Sequence, residues 1–165
     1  MTVHAPVFSA EPGYDTDFHA WALAQAALLR TVRPDGVDWE NVAEEIEDLG
    51  KARSRELFSR LRVIIEHLLK LEHGRNREPA GGWIETLVEQ RQELDYILRE
   101  SPSLRRQIEP MLDRSFGQAW KKALAGFKRY EPAQLAFYEE TLPAVLPYTV
   151  TQLLDEDFLP EPSGR

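Results

Sequence analysis

Cysteine is absent from this chain of 165 residues, which excludes a disulfide framework, a thiolate metal site and a cysteine nucleophile. The absence also fits a reducing compartment. Positive charge is scarce: 20 lysines and arginines stand against 28 aspartates and glutamates, for a net charge of −8. General nucleic-acid binding rests on clustered positive charge and is not expected. No stretch approaches the ~20 apolar residues that span a bilayer. Met1 to Gly13 has neither the basic start nor the apolar run of a secretory signal. A cytoplasmic protein away from membranes is the expectation. No glycine-rich phosphate loop, serine nucleophile elbow or zinc motif occurs, so the motifs specify no reaction.

What is present is helical periodicity. Hydrophobic residues make up 42% of the chain, enough for a packed core. From Asp38 to His73, apolar residues recur at Trp39, Val42, Ile46 and Leu49, then at Leu57, Leu61, Ile64, Leu68 and Leu71. Steps of three and four mark a helix with one buried face, and Asp38 can cap it. Gly50 interrupts the run, yet Ile46 and Leu57 are eleven residues apart, within about 20° of whole turns. One continuous helix is predicted, accepting a glycine penalty of ~1 kcal/mol. Charge is segregated along it: Glu40, Glu44, Glu45, Glu47 and Asp48 come first, then Lys51, Arg53, Arg55, Arg60 and Arg62 against Glu56 alone.

An earlier helix is predicted from a cap at Asp15 or Thr16 to about Thr31, followed by a turn at Pro34, Asp35 and Gly36. Gly74 ends the long helix, and Pro79, Gly81 and Gly82 extend the loop. Trp83 to Glu100 forms the next helix. A fourth starts at Ser101-Pro102 and runs to about Phe127, bent or split by Pro110. Beyond Pro132 the pattern is irregular; Thr149 to Gln152 can cap a short helix. Asp155 to Arg165 reads as an acidic tail whose Phe158 and Leu159 can dock. The expected fold is an all-α helical bundle of about four main helices, one of them long, with terminal segments packed across it. Residues 1–13 are taken as an N-terminal extension, 14–160 as a single helical domain and 161–165 as a tail.

Three stretches carry a resemblance: "DWENVAEEIEDLGKARSRELFSRLRVIIEHLLK", "GWIETLVEQRQEL…ESPSL" and "PYTVTQLLDEDFLP". Together with "YDTDFHAWALAQAALLR" they resemble a bacterial family known only as domain of unknown function number 29, over roughly residues 14 to 160. The resemblance implies a bacterial all-helical bundle with no established activity. Its motif positions would fall on Glu44, Glu45, Glu47, Leu49, Gly50, His67, Leu68, Trp83 and Arg91. Pro110 departs from the family helix at that point.

The residues that could carry chemistry each have a plain structural alternative. Arg53 and Arg91 fall in predicted apolar seams, where an arginine is costly unless paired. Arg91 is expected to meet Glu44, Glu45, Glu47 or Glu89, as a structural ion pair rather than an anion site. Glu44, Glu45, Glu47 and Asp48 could suggest a metal, but no Glu-x-x-His motif faces them, and acids near a helix start are favoured by its dipole. No metal and no cofactor are expected. His67 flanks the long helix and is read as a partly buried histidine bonding to a neighbouring helix. On a continuous helix it lies ~33 Å from Glu45, which rules out one shared site. The polar seam Glu44, Glu45, Glu47, Arg53, His67 and Arg91 is the candidate binding set.

Two functions are weighed. The leading one is a small acidic interaction module that binds a protein partner or itself, because segregated charge suits antiparallel pairing. The alternative is an enzyme or small-molecule sensor with a polar pocket around Arg91; the evidence for an enzyme is the weaker. Whether Arg91 lines an open cavity or is closed over separates them.

Overall fold

The computed structural model describes residues 13–31 and 38–163. The turn expected at Pro34 to Gly36 lies outside the described residues, as does nearly all of the N-terminal extension. The described residues form six α-helices and no strand: α1 (Phe18–Leu29), α2 (Trp39–His73), α3 (Ala80–Glu100), α4 (Ile108–Tyr130), α5 (Leu135–Thr141) and α6 (Val150–Leu154).

Asp17, not Asp15 or Thr16, caps α1: its carboxylate accepts from the Ala20 amide at 2.9 Å. Asp38 caps α2 through the Asn41 amide, and the helix runs unbroken through Gly50 to His73. Gly74 stops it. A Cβ there would lie 2.5 Å from the Lys70 carbonyl oxygen and 3.2 Å from the Trp83 ring. Helix α3 starts three residues earlier than predicted, taking Gly81 and Gly82 into its exposed first turn.

Pro110 splits the predicted fourth helix in an orderly way. Pro102–Gln107 is a 3-10 turn, and α4 begins at Ile108, leaving Pro110 in its first turn, where its missing amide has no intrahelical acceptor to lose. The irregular stretch after Pro132 contains a helix that periodicity did not reveal. Helix α5 seats Tyr138, fully buried, in a stack on Phe127 with centroids 3.9 Å apart. The Tyr138 hydroxyl donates to Glu131 at 2.6 Å. Burial first, and that bond second, push its pKa up to about 12.

The core gathers around the second half of α2. Leu57, Leu61, Ile64, Leu68 and Leu69 are completely buried against Leu87 and Leu94 of α3 and Ala119, Ala123 and Phe127 of α4. The first half of α2 is different. Helix α3 ends level with Arg53, whose guanidinium reaches Glu100 at 3.1 Å. The turn before α4 meets Ser54, which donates to Gln107 at 2.6 Å. From Trp39 to about residue 52, roughly 20 Å at 1.5 Å per residue, α2 therefore projects past α3 and α4 with α1 as its main companion.

A candidate docking face on the projecting hairpin

Helix α1 is apolar on nearly every side, the composition of a helix buried all round. Among the described residues one stripe of it is buried, His19, Ala22 and Ala26, and Ala43 and Gly50 of α2 are buried as well. A Cβ on Gly50 would sit 3.2 Å from the Ala22 methyl and 3.3 Å from the His19 carbonyl oxygen. The glycine that interrupts the sequence pattern is a point of close approach between the two helices.

His19, which sequence reasoning left without a role, fixes the base of this hairpin. Its Nδ1 lies 2.8 Å from the Gly50 carbonyl oxygen and its Nε2 lies 3.0 Å from Gln107 Nε2. A ring protonated at Nδ1 donates to the first and accepts from the second. Its backbone amide donates to buried Ser101 at 3.2 Å, and Ser103 donates to Asp17 through both amide and hydroxyl. The small-residue stripe of α1 was the only sequence signal for this junction.

On the flank of α1 beside Arg53, Tyr14, Phe18 and Trp21 form an edge-to-face cluster, with Tyr14 at 5.7 Å from Phe18 and 4.9 Å from Trp21. Arg53 stacks over Phe18 at 5.7 Å and is held there by Glu56 and Glu100. Tyr14, Asp15, Phe18, Arg53 and Glu100 line a concavity of about 310 Å³. From Arg53 a stripe of α2 continues through Leu49, Ile46 and Val42 at steps of four, three and four. Leu49 is 54% exposed, Val42 38% and Tyr14 59%.

The six residues of the predicted seam are not brought together. Glu44 and Glu45 are exposed on the projecting part of α2. Glu47 pairs with Lys51 and Arg30, and those bonds, Lys51's first, hold its carboxyl below the usual range. Arg53 belongs to the aromatic face. His67 bonds to the Val63 carbonyl of its own helix at 2.9 Å, not to a neighbouring helix.

Arg91 corrects its expectation most clearly. It is 2% exposed and meets no carboxylate among the hydrogen bonds it makes. The reason is position: α3 stops at Glu100, so it never reaches the level of Glu44 to Glu47. Arg91 instead donates to four backbone carbonyls of the C-terminal segment: Gln152 at 3.0 Å, Leu153 at 3.2 Å, Phe158 at 2.9 Å and Glu156 at 3.4 Å. Two of these are terminal carbonyls of α6, whose negative end favours a cation. Burial lowers the guanidinium's pKa, and the charges of Asp155 and Glu156 work against that. With its donors engaged and its side chain enclosed, Arg91 lines none of three clefts formed among the described residues.

The same segment is tied down at two further points. Tyr148 donates to Glu72 at 2.6 Å, and Ser163 bonds to the Glu72 carbonyl and to His73 Nδ1 at 2.9 Å. His73 Nε2 is buried with no hydrogen-bond partner among the described residues. Burial lowers the pKa of both His67 and His73. The folded state therefore favours their neutral forms, and below about pH 6.5 the unfolded chain binds more protons. Stability from this source is complete above that pH and is lost as pH falls through the lowered values. The melting temperature is expected to drop between pH 7 and pH 5, with a slope of at most ~1.4 kcal/mol per pH unit for each proton. His73→Gln should flatten the slope; an unchanged slope would assign it elsewhere.

These features define an all-helical bundle with a projecting N-terminal hairpin and an arginine-clamped C-terminal strap. The chain belongs to the family described as Domain of unknown function DUF29, which it matches over residues 14–159. It is similar in structure to an alpha-helical protein of unknown function from Rhodospirillum rubrum, with a TM-score of 0.61 and 26% identity, over 88% of this chain and 91% of that one. No curated protein matches it. Among the described residues no helix is long and apolar enough to cross a membrane, and no three His, Asp or Glu side chains are grouped to hold a metal ion.

Proposed function

We propose that this protein is a helical docking module whose contact surface is the outer face of the α1–α2 hairpin. The reading takes residues 14–160 as one domain and places it in the cytoplasm, in keeping with the lack of cysteine. The observation that carries it is the concavity lined by Tyr14, Phe18 and Arg53, with Trp21 packed against Tyr14 beside it, continued by exposed Leu49 and Val42. Tyrosine, tryptophan and arginine are the side chains that most often anchor interfaces. An apolar face on a projecting element serves contact better than it serves monomer stability. The enzyme or sensor alternative depended on an open site at Arg91, and the enclosed clamp described above gives it no support.

The test is photo-cross-linking in cells, with benzoylphenylalanine at position 49 and, as control, at position 128 on the outer side of α4. Discrete adducts from position 49 alone are expected. Their absence, or equal labelling from both positions, would sink the docking reading.

A further inference from the structure

We infer that a second copy of the same chain docks beside this face, paired antiparallel along the exposed side of α2 that points away from α1, with the two-fold axis at the level of Gly50; the inference rests on the docking reading. The observation is the pattern of exposed residues. Asn41, Glu45, Asp48, Ala52 and Arg55 are all exposed and follow one another at steps of four, three, four and three, which places them in one polar seam along a single side of the helix. Val42 and Leu49 border that seam. Glu44 and Glu45 have no ion-pair partner among the described residues. Among the described residues Arg55 bonds to the Asp48 carbonyl, at 3.5 Å, and to no carboxylate. The charges left over on this face are thus acidic before Gly50 and basic after it.

A two-fold axis converts that asymmetry into complementarity. Reversing one copy about residue 50 sets Glu45 against Arg55 of the second copy, and Arg55 against the second copy's Glu45. Asp48 then faces Ala52, whose small side chain lets the helices approach, and each Leu49 packs beside the seam. An isologous contact repeats every favourable pair. A parallel pairing would instead set acid on acid and base on base, which is repulsive. The face stays accessible because α2 projects past the ends of α3 and α4, and Arg55 is still exposed beside them.

The experiment is sedimentation velocity of the full chain over a range of micromolar concentrations. A monomer–dimer equilibrium that weakens with salt is expected. Glu45→Arg and Arg55→Glu should each weaken dimerisation by about tenfold or more, and the double variant E45R/R55E should restore it, since both new pairs again join opposite charges. Circular dichroism melts of the variants check that the fold is intact. A monomer at every concentration overturns the inference, as does a dimer indifferent to the charge reversals. If position 49 cross-links only to a foreign mass while the chain stays monomeric, self-pairing fails and the docking reading stands; if it cross-links to nothing, both fail.

Discussion

Arg91→Ala is expected to destabilise the fold by on the order of 3 kcal/mol or more. The loss is not that of an ion pair. Four carbonyls, from Gln152, Leu153, Glu156 and Phe158, converge on one guanidinium. Truncation leaves them without their donor in a place the side chain had sealed from water. Arg91→Lys should recover only part of the loss, because one ammonium on a flexible stem cannot reproduce a planar fork of donors. Denaturant unfolding measures the change, and limited proteolysis locates it: cleavage after Pro147 should rise first. An unchanged midpoint for Arg91→Ala would mean that Tyr148 and Ser163 hold the strap unaided.

Leu68→Ala is expected to cost ~2–5 kcal/mol, through lost transfer energy and the cavity left behind, while Leu49→Ala should stay within ~0.5 kcal/mol. Both leucines are on α2, but Leu68 is fully buried among three helices and Leu49 is 54% exposed. The comparison, made by thermal melts at low protein concentration, asks whether the two halves of one helix do different work. A large loss at Leu49 in the monomer would show that its face contributes to the fold, and would count against a surface reserved for contact.

The resemblance and the periodicity pointed to an all-helical bundle, and phase across Gly50 was enough to predict one long helix. Local chemistry also placed the cap at Asp38 and the capping box at Thr149 and Gln152. These features depend on neighbours within a turn or two, which a linear reading can follow. Short helix α5 escaped it, because seven residues between prolines hold too few turns to show a period.

Partnerships between distant segments were decided only by the tertiary structure. Sequence spacing marked Arg91 as a buried cation needing a partner; backbone carbonyls have no sequence signature, so four of them more than sixty residues away could not be foreseen. His19 gained its role when α1 folded back on α2 and met the corner between α3 and α4. Gly50 looked like a tolerated defect until Ala22 came within reach of it. The charge segregation along α2 was plain in the sequence. That its midpoint lies near where the bundle ends, with the acidic part on the projecting stretch and Arg55 exposed beside the ends of α3 and α4, followed from the lengths of α3 and α4, because helix ends and the core they enclose determine how much of α2 is left uncovered.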